Sequence, residues 1–178
     1  LAELPERREG RLQFRGPSAT SGYWRNPEAN ARLFCDGWLD TGDYAYLAGG
    51  ELYLTGRAKD IVIKAGRNIY PQEVEEAVGR IDGVRPGCVA VFGSPDPASG
   101  TERLVVAAET RLGEPAQLTA LRQAIQDCTL ELLGLPADEI VLSSRRIVLK
   151  TSSGKVRRAA SRALFEQCLP EGQPRAAW

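Results

Sequence analysis

A chain of 178 residues, 43% apolar and 26% charged, has the make-up of an ordinary globular protein of one domain or two small ones. Its 23 basic and 23 acidic side chains cancel, which argues against a general nucleic-acid binder, and the absence of histidine removes Ser-His-Asp and Cys-His catalysis and His-ligated metals together. The polar start LAELPERREG and the lack of any apolar run near about 18 residues give the expectation of a cytoplasmic protein with no transmembrane segment, and the absence of methionine that of a piece cut from a longer chain.

Residues 1–56 read as short strands and turns, the end of a β-rich unit with little core of its own. Leu12–Arg15 and Glu51–Thr55 alternate apolar and polar residues, as half-buried strands do. Turn signals lie between them at Gly16-Pro17, Ser21-Gly22, Asn26-Pro27, Asp36-Gly37 and Gly49-Gly50. From Gly56 the pattern changes to alternating strands and helices. Ile61–Ile63 is a compact strand, Ala65-Gly66 a turn, and Pro71 a first-turn proline. Val74, Ala77, Val78 and Ile81 then form one apolar helical stripe. Cys88–Phe92 and Leu104–Ala108 are buried strands. Leu118, Leu121, Ile125, Cys128 and Leu132 line a longer helix that Gly134 ends. Ile140–Leu142 is a short strand, Ile147–Leu149 another candidate, and Val156–Cys168 a last helix with an alanine-rich inner face. The fold expected is α+β, a small mixed sheet with helices on one side of it. Residues 1–56 form one domain fragment and 57–178 the second domain. The join has no long linker and would pivot about a few dihedrals.

The four cysteines, Cys35, Cys88, Cys128 and Cys168, include no CxxC pair, so neither a zinc site nor a redox pair is expected and no metal is assigned. Three of them lie among apolar residues and read as small buried hydrophobes. Charge is uneven: Ser143–Arg162 carries Lys and Arg but no acidic residue, so it either meets an anion or is a solvated face.

Three segments can carry chemistry. KTSSGK at 150–155 offers a lysine after a glycine and several hydroxyls, but a P-loop needs glycine where Leu149 stands and Ser or Thr where Val156 stands. On its own it reads better as a polar surface loop before a basic helix. GWLDTGD at 37–43 has carboxylates able to accept from a vicinal diol, or is an Asx-type turn closing a hairpin. GRAKDIVIKAGRNIYP at 56–71 is an interaction surface or a solvated hairpin.

Taken in order, GPSATSGYW at 16–24 with Asn26-Pro27-Glu28, then GWLDTGD, GRAKDIVIKAGRNIYPQEVE and KTSSGK resemble the acyl-adenylating superfamily of acyl-CoA synthetases, fatty acyl-AMP ligases, luciferases and peptide-synthetase adenylation domains. The resemblance spans nearly the whole chain. It implies that residues 1–56 end an N-terminal adenylation domain and 57–178 form a mobile lid. Asp43 matches the acid that holds the ribose hydroxyls of ATP and Arg57 the arginine near the nucleotide. Lys59 stands at the hinge, where many relatives have Asp and others Lys, Gly66 on the loop lining the thiol tunnel, and Lys155 at the adenylating lysine. Relatives usually have proline where this chain has Leu149. Implied co-substrates are ATP with Mg2+, bound mainly by the N-terminal domain, a carboxylic acid, in this wording a fatty acid, and a thiol of CoA or of a carrier protein's phosphopantetheine. The partners implied are the chain's own N-terminal domain and CoA or acyl carrier protein, with Lys64, Arg67 and Arg145–Arg162 available for a phosphate or an acidic carrier. The fragment alone should be inactive. The competing reading is a non-catalytic module that docks an acidic partner through its basic C-terminal segment.

Overall fold

The computed structural model describes residues 3–96 and 102–167. Backbone contacts divide the chain into two compact units, Leu1–Lys59 and Asp60–Trp178. None of the helices among the described residues is long and apolar enough to cross a membrane.

The first unit contains β1 (Gly10–Phe14), α1 (Pro27–Leu33), β2 (Phe34–Cys35), β3 (Trp38–Ala48) and β4 (Glu51–Arg57). The long β3 is its axis: β1 pairs along one edge, and β2 and β4 share the other, all antiparallel. Gly49 and Gly50, at φ of 60° and 79°, make the two-residue turn between β3 and β4 that right-handed strand twist favours. Asn26-Pro27 starts a helix rather than a turn: Asn26 Oδ1 accepts from the Ala29 N–H at 3.0 Å and proline fills the first position. Leu39 and Ala45 are this unit's buried apolar residues among those described, while Phe14, Trp24, Leu47, Leu52, Tyr53 and Leu54 are exposed. Such a sheet lacks the buried area to stand alone.

The second unit contains β5 (Val62–Lys64), β6 (Arg67–Ile69), α2 (Pro71–Val78), β7 (Val84–Pro95), β8 (Glu102–Thr110), α3 (Pro115–Leu133), β9 (Glu139–Ser143) and α4 (Arg158–Gln167). It is an α+β fold around the mixed sheet β7-β8-β9, antiparallel between β7 and β8 and parallel between β8 and β9. Strand alternation gives the sheet two apolar faces. Val89, Val91, Leu104, Val106, Ile140 and Leu142 join Val74 and Val78 of α2 and Leu121 and Ile125 of α3. On the opposite face Ala90, Phe92, Val105 and Ala107 pack with Val148 and with Phe165 of α4. Helices therefore cover both sides of the sheet, not one. The strands are apolar on both faces, and each face needs a cover.

Three further expectations change. Ile147–Leu149 forms no strand, for reasons given below. Helix α4 starts at Arg158, and its buried residue is Ser161, with Ala159 and Ala163 exposed. Cys168 lies outside the described residues. Leu132 at the end of α3 is exposed, and Thr129 and Leu133 turn inward instead, because a 3.6-residue period drifts off the expected stripe over four turns. Gly134 does end α3, at φ 65° with its N–H on the Leu130 carbonyl at 2.8 Å. Of the cysteines, Cys88 is buried, Cys128 half-buried and Cys35 exposed. Burial, with the Glu131 charge, pushes the Cys128 thiol above its ordinary range.

Candidate functional site

Asp43 and Arg57 stand opposite each other in the β3–β4 ladder, with Arg57 Nε 3.5 Å from Asp43 Oδ1. The GWLDTGD segment starts at Gly37, which with Asp36 makes the two-residue turn of the β2–β3 hairpin, at φ of 81° and 49°. It runs along β3 and is held open locally by its own side chains. Asp40 Oδ1 accepts from the Gly42 N–H at 2.8 Å and Thr41 Oγ1 from the Asp43 N–H at 3.1 Å. Gly42 takes φ 76°, and its carbonyl accepts from the Ala58 N–H at 2.9 Å. Asp43 is thus a half-buried carboxylate beside an exposed guanidinium, free to accept hydroxyl hydrogens. Lys59 is exposed and is the last residue of the first unit.

Gly66 is the second residue of the two-residue turn between β5 and β6, with Ala65 and Gly66 at φ of 50° and 72°. No atom lies within 4 Å of a Cβ built on Gly66, so backbone conformation rather than crowding selects glycine there. The basic residues of this hairpin are already engaged, contrary to expectation. Lys64 Nζ donates to Asp138 Oδ2 and to the Pro136 carbonyl, both at 2.7 Å, and Arg67 Nη1 donates to the Leu133 carbonyl at 2.8 Å. They fasten the hairpin to the end of α3, where the helix dipole also favours a cation.

The KTSSGK segment is a small closed loop. Lys150 and Val156 form an isolated antiparallel bridge. The Thr151 N–H donates to the Lys155 carbonyl at 2.8 Å, Thr151 Oγ1 accepts from the Lys155 N–H at 3.0 Å, and Gly154 turns the chain at φ 82°. Thr151 therefore holds both backbone groups of Lys155. Among the described residues the Lys155 ammonium makes no hydrogen bond or ion pair, and the side chain is exposed. The backbone is fixed and the charge is left available.

The stems of this loop are held by residues the sequence did not mark. Glu109 is 3% exposed; its Oε1 accepts from the N–H groups of Ile147 and Val148, both at 3.1 Å, and its Oε2 from Arg85 at 3.1 Å. The Leu149 N–H donates to Ser161 Oγ at 2.9 Å. Side-chain oxygens thus satisfy the donors that a strand at 147–149 would have given to a neighbour. On the other stem Arg158 donates from Nε and Nη2 to both oxygens of Glu75, at 2.7 and 2.6 Å, and from Nη1 to Asp60 at 2.9 Å. Glu75 Oε1 also accepts from the Val91 N–H at 3.0 Å. The hydrogen bonds with Glu75 hold the Arg158 guanidinium above its ordinary pKa. The one signal available in sequence was a charge inside an apolar pattern: Glu109 after the run 104–108, and Glu75 beside Val74.

The basic run 143–162 accordingly divides. Arg158 and Arg162 pair with carboxylates of the same unit, and Lys150 Nζ lies 3.5 Å from Cys88 Sγ. Arg145, Arg146, Lys155 and Arg157 make no ion pair among the described residues.

No model of a known protein family matches the chain. It is 41% identical over 164 residues, 91% of its length, to a Caulobacter vibrioides protein named as an acyl-CoA synthetase. It is 30% identical over 92% of its length to a long-chain-fatty-acid–AMP ligase of Mycolicibacterium smegmatis. Its fold is similar, at a TM-score of 0.81 and 34% identity over 94% of this chain, to the structure of McyG A-PCP complexed with phenylalanyl-adenylate, 26% of which is covered. The chain spans about 28% and 32% of the lengths of the two relatives.

Proposed function

We infer that this chain, which has the sequence and fold of the C-terminal portion of an acyl-adenylating enzyme, works as the lid of such an enzyme and supplies its adenylating lysine, Lys155. The first unit is the end of the N-terminal adenylation domain and the second unit the mobile domain. The poorly buried first unit, with Leu47, Leu52 and Leu54 exposed, supports a larger body against which that sheet packs.

In the first half-reaction a carboxylate oxygen attacks the α-phosphorus of ATP and the bond to pyrophosphate breaks. Charge builds on the transferring phosphoryl oxygens, and a cation placed there lowers the barrier most if it meets them only in the transition state. Lys155 suits this: its backbone is clamped by Thr151, and among the described residues its ammonium has no partner that it must first leave. Asp43 accepts the ribose hydroxyls, and Arg57 sits beside it. In the second half-reaction a thiol attacks the acyl carbonyl and AMP leaves. Rotation about Lys59 withdraws Lys155 and brings forward the β5–β6 turn at Gly66, while the lid keeps water from the mixed anhydride. The acid is a fatty acid and the acceptor a CoA or carrier-protein thiol; Arg145, Arg146 and Arg157 offer charge to either. No three Asp, Glu or Cys side chains converge into a metal site among the described residues, so no step is assigned through Mg2+.

The observation that carries this reading is the free ammonium on a locked backbone at Lys155. In the intact protein Lys155→Ala should slow acid-dependent pyrophosphate exchange at least about a hundredfold. Thioester formation from supplied acyl-adenylate should stay within about threefold of the parent. Equal loss of both, or of neither, rules the assignment out.

A further inference from the structure

We propose that Arg158 is a positioning residue, a strut that makes the Lys155 loop move with the pivot; this rests on the lid reading above. A rotation at residue 59 turns the backbone that leaves it, starting with Asp60. Residues far along the chain follow only as stiffly as packing connects them. Arg158 is 98 residues beyond Asp60 yet donates to its carboxylate at 2.9 Å. The same guanidinium grips Glu75 of α2 with two parallel bonds, and Glu75 is itself tied to β7 through the Val91 N–H.

From Arg158 the path to Lys155 is short and hydrogen-bonded. The Arg157 N–H donates to the Leu149 carbonyl and the Ser161 N–H to the Arg157 carbonyl, at 2.8 and 2.9 Å, so the first turn of α4 is continuous with the closed loop. The guanidinium is 19% exposed and its two carboxylates 17% and 11%. Water competes little for these bonds, and the planar fork holds Glu75 by two parallel bonds while a third reaches Asp60, a geometry that an ammonium cannot reproduce. Without it the loop would connect to the pivot only through the sheet and the Glu109 anchor.

The two half-reactions should feel this differently. Adenylation needs Lys155 in place to a fraction of an ångström, whereas the β5–β6 turn follows the pivot directly in the chain. In the intact protein Arg158→Lys, which keeps the charge but loses the two-bond grip on Glu75, should slow pyrophosphate exchange by about tenfold to a hundredfold. It should leave thioester formation from supplied acyl-adenylate within about threefold.

Removing the arginine strands two carboxylates, so the second variant is neutral: Arg158→Met with Asp60→Asn and Glu75→Gln. In that form of the 178-residue chain, hydrogen exchange at Thr151, Gly154, Lys155 and Arg157 should quicken by about tenfold or more while Val105–Ala108 keep the parent rates. Equal loss of both half-reactions in Arg158→Lys, or loop amides that exchange as in the parent, overturns the strut. Lys155→Ala separates the two failures. If it adenylates normally, the lid reading itself is gone. If it does not, while Arg158→Lys harms both steps alike, only the strut is.

Discussion

Replacing Glu109 with alanine removes, in one side chain, the acceptor of two backbone donors that have no strand neighbour to turn to. Val148 is 1% exposed, so its N–H cannot be rescued by solvent without opening the α4 face of the sheet. A buried donor left unmet costs about 1–3 kcal/mol, and two give an upper range near 6 kcal/mol. Relaxation at the less buried Ile147 brings the expected loss to about 3 kcal/mol. Arg85 adds little, since its side chain is 52% exposed and recovers water. Glu109→Gln keeps an oxygen for both N–H groups but forfeits charge assistance and the half-exposed Arg85 pair, for a loss of about 1 kcal/mol. Urea unfolding of the chain followed by far-UV circular dichroism reads this directly, because α2, α3 and α4 all lie in the second unit. Tryptophan fluorescence reads it less directly, since Trp24 and Trp38 lie in the first unit and the third tryptophan, Trp178, lies outside the described residues. If Glu109→Ala unfolds within about 1 kcal/mol of the parent, or Glu109→Gln costs as much as alanine, the loop is not held as described.

Two further outcomes are expected. Lys59→Pro in the intact protein fixes φ at the pivot, and should slow the thiol step by about tenfold or more while pyrophosphate exchange stays near the parent rate; thiol-step rates equal to the parent would count against Lys59 as the hinge. Ala65→Asn replaces a side chain that pays for positive φ with one that tolerates it, and should raise Tm by about 2–4 °C. A lower Tm would mean that the β5–β6 turn does not have this conformation in solution.

Much of this architecture was legible in the order of residues, because elements are encoded by contacts close in sequence. The stripe Val74–Val78, the runs 88–92 and 104–108, the cap at Gly134 and the turn at Ala65-Gly66 each follow from a period of two or 3.6 or from one residue's backbone freedom. Asn26-Pro27 failed for a related reason: the same pair begins a turn or caps a helix, and only the Ala29 N–H tells which.

By itself the sequence determined the elements, the neutrality that disfavours nucleic acid, the lack of histidine chemistry and the ordered motifs that single out Asp43, Arg57, Lys59, Gly66 and Lys155. What only the tertiary structure decided is where each charge goes. Lys64 and Arg67, free on paper, are spent on Asp138 and the Leu133 carbonyl. The apolar run at 147–149 gives its N–H groups to Glu109 and Ser161 instead of a strand, and Arg158 finds Asp60 from 98 residues away. The physical reason is one of range. A backbone period is satisfied within a few residues, but the partner of a buried charge is chosen by whichever distant segment packing delivers, and no local pattern records that choice.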